Sequence, residues 1–403
     1  MNASYTSLLN DAPTPEQLAN APTLPLFAKP SLDFVQALSG ELLKDRAIKA
    51  FPELVALAYW LRKSNLERLS RTLAERIGDT IQHPRGTVFH IAPSNVDTIF
   101  VYSWILALLS GNKNIVRLPS KNSPQTDLLV RAVTTTLSQP EHRDIAMRTL
   151  LVRYAVNDAI TTQFSSVCDV RVIWGGDETI RQVRRIPMPA YAIDVAFCNK
   201  YSLAVIDIDN WLLAEPTLRQ ELAQAFYNDA FGFDQMACSS PRLVLWVGDA
   251  ANQKQAGQDF WARIQHIVHE KQTSFDDVDY VNKLVVQDSA AIRSSAHHVI
   301  SVDNTVSRTW LDSPALHIDL HCGAGLFFEA HLQQLQDIKP LLSRSVQTLS
   351  YACVDRQNLS DMLRGHDMRG IDRVVPFGQA LSFSESWDGY DLLRTFLRQI
   401  TLL

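Results

Sequence analysis

Gly86-Thr87-Val88-Phe89-His90-Ile91-Ala92-Pro93-Ser94-Asn95, followed by Asn114-Ile115-Val116-Arg117-Leu118-Pro119-Ser120-Lys121, sets the architecture of this chain. Each stretch is a short β-type run that stops at a turn-forming Pro-Ser. Between them, Val96 to Ser110 reads as an apolar helix. Gly111-Asn112 closes it, in the position after a helix that favours left-handed residues. Ser123 and Pro124 then supply the N-cap and first position of another helix. Gly86 to Ser138 is therefore β-α-β-α, and such alternation implies a parallel sheet with right-handed crossovers.

The rhythm continues downstream. Leu150 to Tyr154 reads as a strand, Asp158 to Ser165 as a helix, and Val170 to Trp174 as a strand that runs into Gly175-Gly176-Asp177. Glu178 to Arg184 is the next helix. Ligands of open α/β sheets sit at the carboxyl ends of strands. Three turns fall there: Pro93-Ser94-Asn95, Pro119-Ser120-Lys121 and Gly175-Gly176-Asp177. The paired glycines suit close approach of a phosphate to a helix N-terminus, and equally a plain tight turn. Neither GxGxxG nor GxxxxGK[ST] occurs. Upstream, Leu32 to Ile77 has helical spacing, with Leu54, Leu57, Ala58 and Leu61 on one face. Residues 1–30 carry five prolines and read as a loose arm.

A second lobe follows. Ser202 to Asp207 alternates as a strand, and Thr217 to Asp229 is helical. Gln235-Met236-Ala237-Cys238-Ser239-Ser240-Pro241-Arg242 then places a thiol in a small-residue turn before the strand Leu243 to Val247. Such a turn exposes sulfur and leaves room for a carbonyl, as a nucleophile requires. The same pattern fits a buried structural cysteine. A helix is expected over Gln253 to Lys271, with strands at His298 to Val302, His317 to Leu320 and Leu326 to Glu329. Arg369 to Gly378 and Trp387-Asp388-Gly389-Tyr390 read as packed closing segments. The expected division is 1–200 (arm, helical segment and nucleotide-type lobe), 201–375 (lobe carrying Cys238) and 376–403 (closing segment).

Composition narrows the function classes. The 403 residues are 46% apolar, with a formal charge of -5 and no basic patch, so a nucleic-acid partner is not expected. The apolar run Ile99 to Leu109 is too short for a bilayer, and the N-terminus lacks the features of a signal peptide. The five cysteines form no CxxC pair, and the eleven histidines form no HExxH, so neither a metal site nor a disulfide framework is expected. A reducing, cytoplasmic setting fits these thiols.

These pieces, in this order, resemble the aldehyde dehydrogenase superfamily. Pro93-Ser94-Asn95 stands where that superfamily has Pro-Trp-Asn. Ile115 to Ser120 is similar to its Val-Val-Lys-Pro-Ser, and Trp174-Gly175-Gly176 to its Phe-Thr-Gly-Ser. Asn199 to Asp207 is similar to its Gly-Gly-Lys-Ser-Pro-Asn-Ile-Val-Phe, and Gln235 to Arg242 to its Gly-Gln-x-Cys. Within the superfamily, Cys-Ser-Ser-Pro-Arg, Trp-Gly-Gly-Asp, Asp-Arg-Val-Val-Pro-Phe-Gly and the terminal Trp-Asp-Gly resemble the LuxC-type acyl-CoA reductases. These are the fatty-acyl reductase component of bacterial bioluminescence.

The resemblance implies an α/β fold of two lobes, each with a mostly parallel sheet flanked by helices. It implies reduction of a fatty acyl thioester, from acyl-CoA or an acyl-protein, to the aldehyde. Cys238 would be the nucleophile and Asn95 an oxyanion donor. Ser94, Arg117, Pro119, Ser120, Lys121, Gly175 and Gly176 would bind the cofactor. Arg117 stands where the superfamily has lysine. Because a guanidinium forks onto phosphate, NADPH is the expected cofactor, with no metal. The superfamily's general-base glutamate is Ala196 here, which disfavours attack by water. Implied partners are acyl-protein synthetase and thioesterase subunits and further copies of the chain. An ordinary NAD(P)-dependent aldehyde dehydrogenase and a non-catalytic scaffold subunit of a synthetase complex are the alternatives. His317, His321 and His366 are candidates for proton transfer.

Overall fold

A computed structural model describes residues 5–9, 11–92, 98–119, 123–293, 296–299, 303–365 and 368–402. They fall into two compact units: Met1–Cys198 together with Ser384–Leu403, and Asn199–Phe383.

The first unit is built on strands β1 (Thr6–Ser7), β2 (Ile81–Pro84), β3 (Thr87–Ile91), β4 (Lys113–Leu118), β5 (Thr149–Arg153), β6 (Val170–Trp174) and β7 (Ile193–Phe197). Six of them form one sheet in the order β1-β5-β4-β3-β6-β7, parallel except for the short β1. β2 stands apart and pairs antiparallel with Leu397–Ile400. Every residue of β3 and β6 is buried, as a parallel sheet covered on both faces requires. The helix Ile99–Leu109 is buried from Phe100 onward and serves as a core helix of this unit. Among the described residues, no helix is long and apolar enough to cross a membrane. From β3 the chain steps outward to β4 and β5, then returns to β6 on the other side. The order therefore reverses between β3 and β6, which is where ligands of doubly wound sheets bind.

The second unit holds β8 (Tyr201–Asp207), β9 (Pro241–Val247), β10 (Ala296–Val299), β11 (Ser307–Leu311), β12 (Leu326–Leu332), β13 (Val346–Ala352) and β14 (Arg373–Pro376). Their order is β10-β11-β12-β9-β8-β13-β14, and only β10 runs antiparallel. One face packs under an aromatic cluster of Trp211, Phe226, Trp246, Phe260, Trp261 and Phe327. The Trp246 and Trp261 ring N–H groups both donate to buried Glu329 Oε2, at 2.8 and 2.7 Å. The other face carries Leu203, Leu245, Phe328 and Leu349.

Three expectations change. The described part of residues 1–30 is not loose. Thr14 and Gln17 form a capping box on the helix Pro15–Asn20, Leu18 is fully buried, and Lys113 Nζ donates to the Ala19 carbonyl at 2.5 Å. His317 to Leu320 is a turn, closed by the Leu320 N–H donating to the His317 carbonyl at 3.1 Å. Ile318 and Leu320 belong to that turn and to none of the described strands. The chain instead adds β13, whose Val346 and Leu349 fill the core, and β14, so the stretch around Arg373 is sheet.

Candidate active site

Cys238 lies at the amino end of β9 and is half-buried. The sequence arranges its turn by an unusual backbone. Phe233, Asp234 and Gln235 take φ of 54°, 51° and 63°, left-handed values without a glycine among them. Such a residue costs about 1–2 kcal/mol, so the surroundings must hold it. Gln235 does so from inside: fully buried, its amide nitrogen donates to the carbonyls of Pro241 and Leu326, each at 3.0 Å. The loop before β12 holds it from outside. The Ala324 N–H donates to the Asp234 carbonyl at 2.8 Å, and a Cβ on Gly323 would come within 2.5 Å of that oxygen. On the β8 side, Ser202 Oγ donates to the Cys238 carbonyl at 2.6 Å and accepts from the Thr348 N–H at 3.2 Å. The backbone that carries the sulfur is thus tied to β8, β9, β12 and β13.

Charged groups gather at the same ends of the strands. Lys200, one residue before β8, donates to Asp372 at 3.0 Å and to the Arg344 carbonyl at 2.8 Å, with both partners of the ion pair buried. Arg242, 7% exposed, donates to the Lys200 carbonyl at 3.3 Å and lies 5.6 Å from the centre of the Tyr201 ring. His321 sits beside Arg242 and the Gln235 backbone. Burial, with the Arg242 charge adding, pulls its imidazole down to about 3, so it is a neutral ring. His317 packs on Phe328 at 5.0 Å and is also lowered by burial. His366 lies outside the described residues. Burial pushes Cys168 up to about 12 and Cys322 and Cys353 up to about 11, which suppresses the thiolate at those three.

In the first unit, β6 delivers Gly175 and Gly176 to the reversal point beside β3. The Gly175 N–H donates to the Phe197 carbonyl at 3.2 Å, a Cβ there would meet Thr179 at 3.1 Å, and Gly176 is the N-cap of the helix Asp177–Arg184. Trp174 stacks on Phe197 at 3.8 Å and donates to Ser103 Oγ at 3.2 Å. His90 joins that network through Ser103 and Asn114, each at 3.1 Å, and burial lowers it to about 3. Arg117, at the carboxyl end of β4, lies 4.6 Å from the centre of the Tyr154 ring, and its Nε has no partner among the described residues. Pro119 is buried just beyond. Ser94, Asn95, Ser120 and Lys121 lie outside the described residues. No cluster of His, Cys, Asp or Glu among the described residues could hold a metal ion.

The sequence reading did not single out Gln235, Arg242 and Asp372 for these placements. Asp372 lies in the Asp-Arg-Val-Val-Pro-Phe-Gly stretch that signalled the resemblance. Its position as the buried acid of Lys200 is the structural content of that signal.

The family model for acyl-CoA reductase (LuxC) matches residues 64–399. The chain belongs to the LuxC acyl-CoA reductase family. The long-chain acyl-protein thioester reductase 2 of Photobacterium leiognathi is 27% identical over 168 residues, 41% of this chain and 33% of that protein. The long-chain acyl-protein thioester reductase of Photorhabdus laumondii is 22% identical over 329 residues, 79% of this chain and 64% of the relative. The match thus spans about a third of the length of the first relative and less than two thirds of the second. The fold is that of the aldehyde dehydrogenases. Lactaldehyde dehydrogenase from Escherichia coli superposes with a TM-score of 0.68 at 10% identity, covering 99% of this chain and 95% of that one. The NADP-dependent glyceraldehyde-3-phosphate dehydrogenase from Bacillus halodurans, solved with NADP, gives 0.64 at 12% identity, covering 96% and 87%.

Proposed function

We propose that this LuxC-family chain reduces a fatty acyl thioester to the aldehyde through an acyl group carried on Cys238. The observation that carries the reading is the Cys238 turn itself: a half-buried sulfur on a backbone tied to β8 and held in strained geometry. Strain kept in place by four strands is characteristic of functional sites. Family membership supplies the reaction class. The names of the relatives support an acyl thioester substrate, donated by CoA or by a protein.

Cys238 attacks the thioester carbonyl as the thiolate. A carbon–sulfur bond forms to Cys238, the bond to the donor sulfur breaks, and the donor leaves as its own thiolate. One thioester replaces another, so the exchange is nearly isoenergetic, which suits sulfur better than a serine oxygen. The Cys238 N–H and the Asn95 amide are the proposed oxyanion donors, each worth about 3–4 kcal/mol of barrier. Ala196 at the superfamily's base position leaves water without an activating carboxylate.

A nicotinamide dinucleotide fits the described residues of the first unit. Arg117 offers a buried Nε without a partner among the described residues, and Gly175 stands at the strand end where a Cβ would crowd Thr179, so the backbone there carries no side chain. Arg117 with Lys121 would take a ribose phosphate, favouring NADPH. Ser94, Pro119, Ser120 and Gly176 would complete the cradle. When bound, the reduced nicotinamide supplies the hydride. Cys238 then leaves as thiolate and the aldehyde departs. Synthetase and thioesterase subunits and further copies of the chain are the proposed partners, in a cytoplasmic setting.

The test is aldehyde formation from tetradecanoyl-CoA with NADPH. Wild-type protein should form aldehyde and Cys238→Ala should not. Oxidation of tetradecanal with NADP+ in the absence of CoA, as fast as the reduction, would return the chain to the ordinary aldehyde dehydrogenases. Acyl transfer without any aldehyde would leave a scaffold or transferase.

A further inference from the structure

Among the described residues two arginines are almost fully buried, and they are treated differently. Arg171, 1% exposed, is satisfied throughout. Its Nε and Nη2 reach the two oxygens of Asp194 at 2.8 and 3.1 Å, and its Nη1 reaches Ser165 Oγ and the Ile186 carbonyl at 3.1 Å each. Arg242, 7% exposed, has no carboxylate partner among the described residues. Among the described residues its Nη1 has the Lys200 carbonyl at 3.3 Å, its Nε has no acceptor, and its guanidinium lies 5.6 Å from the centre of the Tyr201 ring. Removing a cation from water without an anion is strongly unfavourable. Such a group is stable only where an anion arrives.

The candidates for that anion are few. The Lys200–Asp372 pair is internally compensated at 3.0 Å. His321 is held neutral. Among the described residues, the acidic groups whose charge favours the Arg242 cation are Cys238 and Tyr201, and burial keeps the Tyr201 phenol protonated. Cys238 and Arg242 are also fixed against one scaffold. Ser202 Oγ donates to the Cys238 carbonyl, Arg242 donates to the carbonyl of Lys200 two residues before Ser202, and β8 and β9 pair through Ser202 and Pro241.

We infer that Arg242 is the counter-ion of the Cys238 thiolate, a positioning residue held in place through the Lys200 carbonyl and the Tyr201 ring. The inference rests on Cys238 being the nucleophile proposed above, and it adds how that nucleophile is kept ionised. It also gives the reaction a return path. Acylation removes the negative charge at Cys238 and leaves Arg242 uncompensated. Departure of Cys238 as thiolate, when the aldehyde is expelled, restores the pair.

The test is the rate of Cys238 alkylation by iodoacetamide between pH 5 and 10, read by mass on the Cys238 peptide. In Arg242→Met the midpoint should move up by about one pH unit, which makes alkylation about tenfold slower below both midpoints. Arg242→Lys should recover most of the rate. The Cys353 peptide of the same digest should be unchanged in all three proteins. Coincident profiles for wild type and Arg242→Met would overturn the inference, as would an Arg242→Lys profile that matches Arg242→Met. Should Arg242→Met fail to fold, a second pair of variants leaves the arginine intact. A permanent anion in Cys238→Asp should melt above the neutral isostere Cys238→Asn at pH 7, with the gap closing in acid. An asparagine variant as stable as the aspartate one at pH 7 would overturn it. Neither measurement requires acyl chemistry. A protein with no reductase activity could still show the shift, and an active reductase with coincident profiles would sink this inference alone.

Discussion

The two sheets of this chain share one construction and use opposite ends of it. In the first unit the candidate residues Arg117, Pro119, Gly175 and Gly176 lie at the carboxyl ends of β4 and β6. The phosphate cradle proposed there would need little beyond the N-terminus of the helix Asp177–Arg184 and the ends of two strands. In the second unit Cys238, Lys200 and Arg242 lie at the amino ends of β8 and β9. Among the described residues no helix N-terminus does that work. The position of the sulfur is instead fixed by buried Gln235, by Ser202, by a left-handed run of three residues and by an ion pair. A diphosphate tolerates a generic cradle, whereas a nucleophile needs its own scaffold. The second unit should therefore be the more easily damaged.

That contrast can be broken by substitution. The largest effect is expected from Lys200→Met, which leaves the buried Asp372 unpaired. It should cost about 3–5 kcal/mol by urea unfolding. A double variant with Asp372→Leu should recover much of that loss. A recovery that never occurs would mean the pair does more than compensate charge.

Glycines of the two units give the next comparison. Gly323, at φ 70°, lies where a Cβ would press on the Asp234 carbonyl. Gly323→Ala should cost about 2–3 kcal/mol, combining left-handed backbone strain with the contact. Gly175 has no such φ, and its nearest neighbour is the Thr179 side chain. Gly175→Ala should change stability by less than about 1 kcal/mol and act mainly on the KM for the dinucleotide. Equal stability losses at the two positions would erase the distinction.

Acidification probes both units together. His90 in the first and His321 in the second are each held near 3, below the ordinary imidazole value of 6.5, mainly by burial. The unfolded chain takes up these protons first. Stability is therefore fully present above pH 6.5 and lost as pH falls toward 3. The slope approaches about 1.4 kcal/mol per pH unit for each ring. Replacing either histidine by asparagine should flatten the thermal-melting profile between pH 6.5 and 4 by roughly one proton's worth. The smallest stability effect is expected from Arg117→Met, within about 0.5 kcal/mol. It should weaken NADPH binding about tenfold while leaving NADH little changed, because a lost phosphate contact is worth about 1.5–3 kcal/mol when charged. Equal losses for the two dinucleotides would remove Arg117 from phosphate recognition.

The parts of the molecule that were legible in sequence are those with local causes. The β-α-β-α rhythm from Gly86 to Ser138 follows from apolar periodicity and from Pro, Gly and Ser at the breaks. The turn around Cys238 follows from its small residues. The remainder depends on distant partners. Asp372 meets Lys200 because β14 pairs with β13 and β13 with β8, and no local pattern announces that register. Phe233 to Gln235 adopt left-handed geometry without a glycine to mark it, because tertiary hydrogen bonds override their preference. His317 to Leu320 carries strand-like alternation yet forms a turn, since a hydrogen bond across it competes with a ladder. The prolines before residue 30 suggest a loose arm. Two of its features, the Thr14–Gln17 capping box and Leu18, are what dock it.

The most direct test of the central claim is intact-protein mass after exposure to tetradecanoyl-CoA. Wild-type protein should gain one tetradecanoyl group, removable by neutral hydroxylamine and by added NADPH, and Cys238→Ala should gain none. An adduct of equal yield on Cys238→Ala, or no adduct on the wild-type protein, would contradict the acyl-enzyme account.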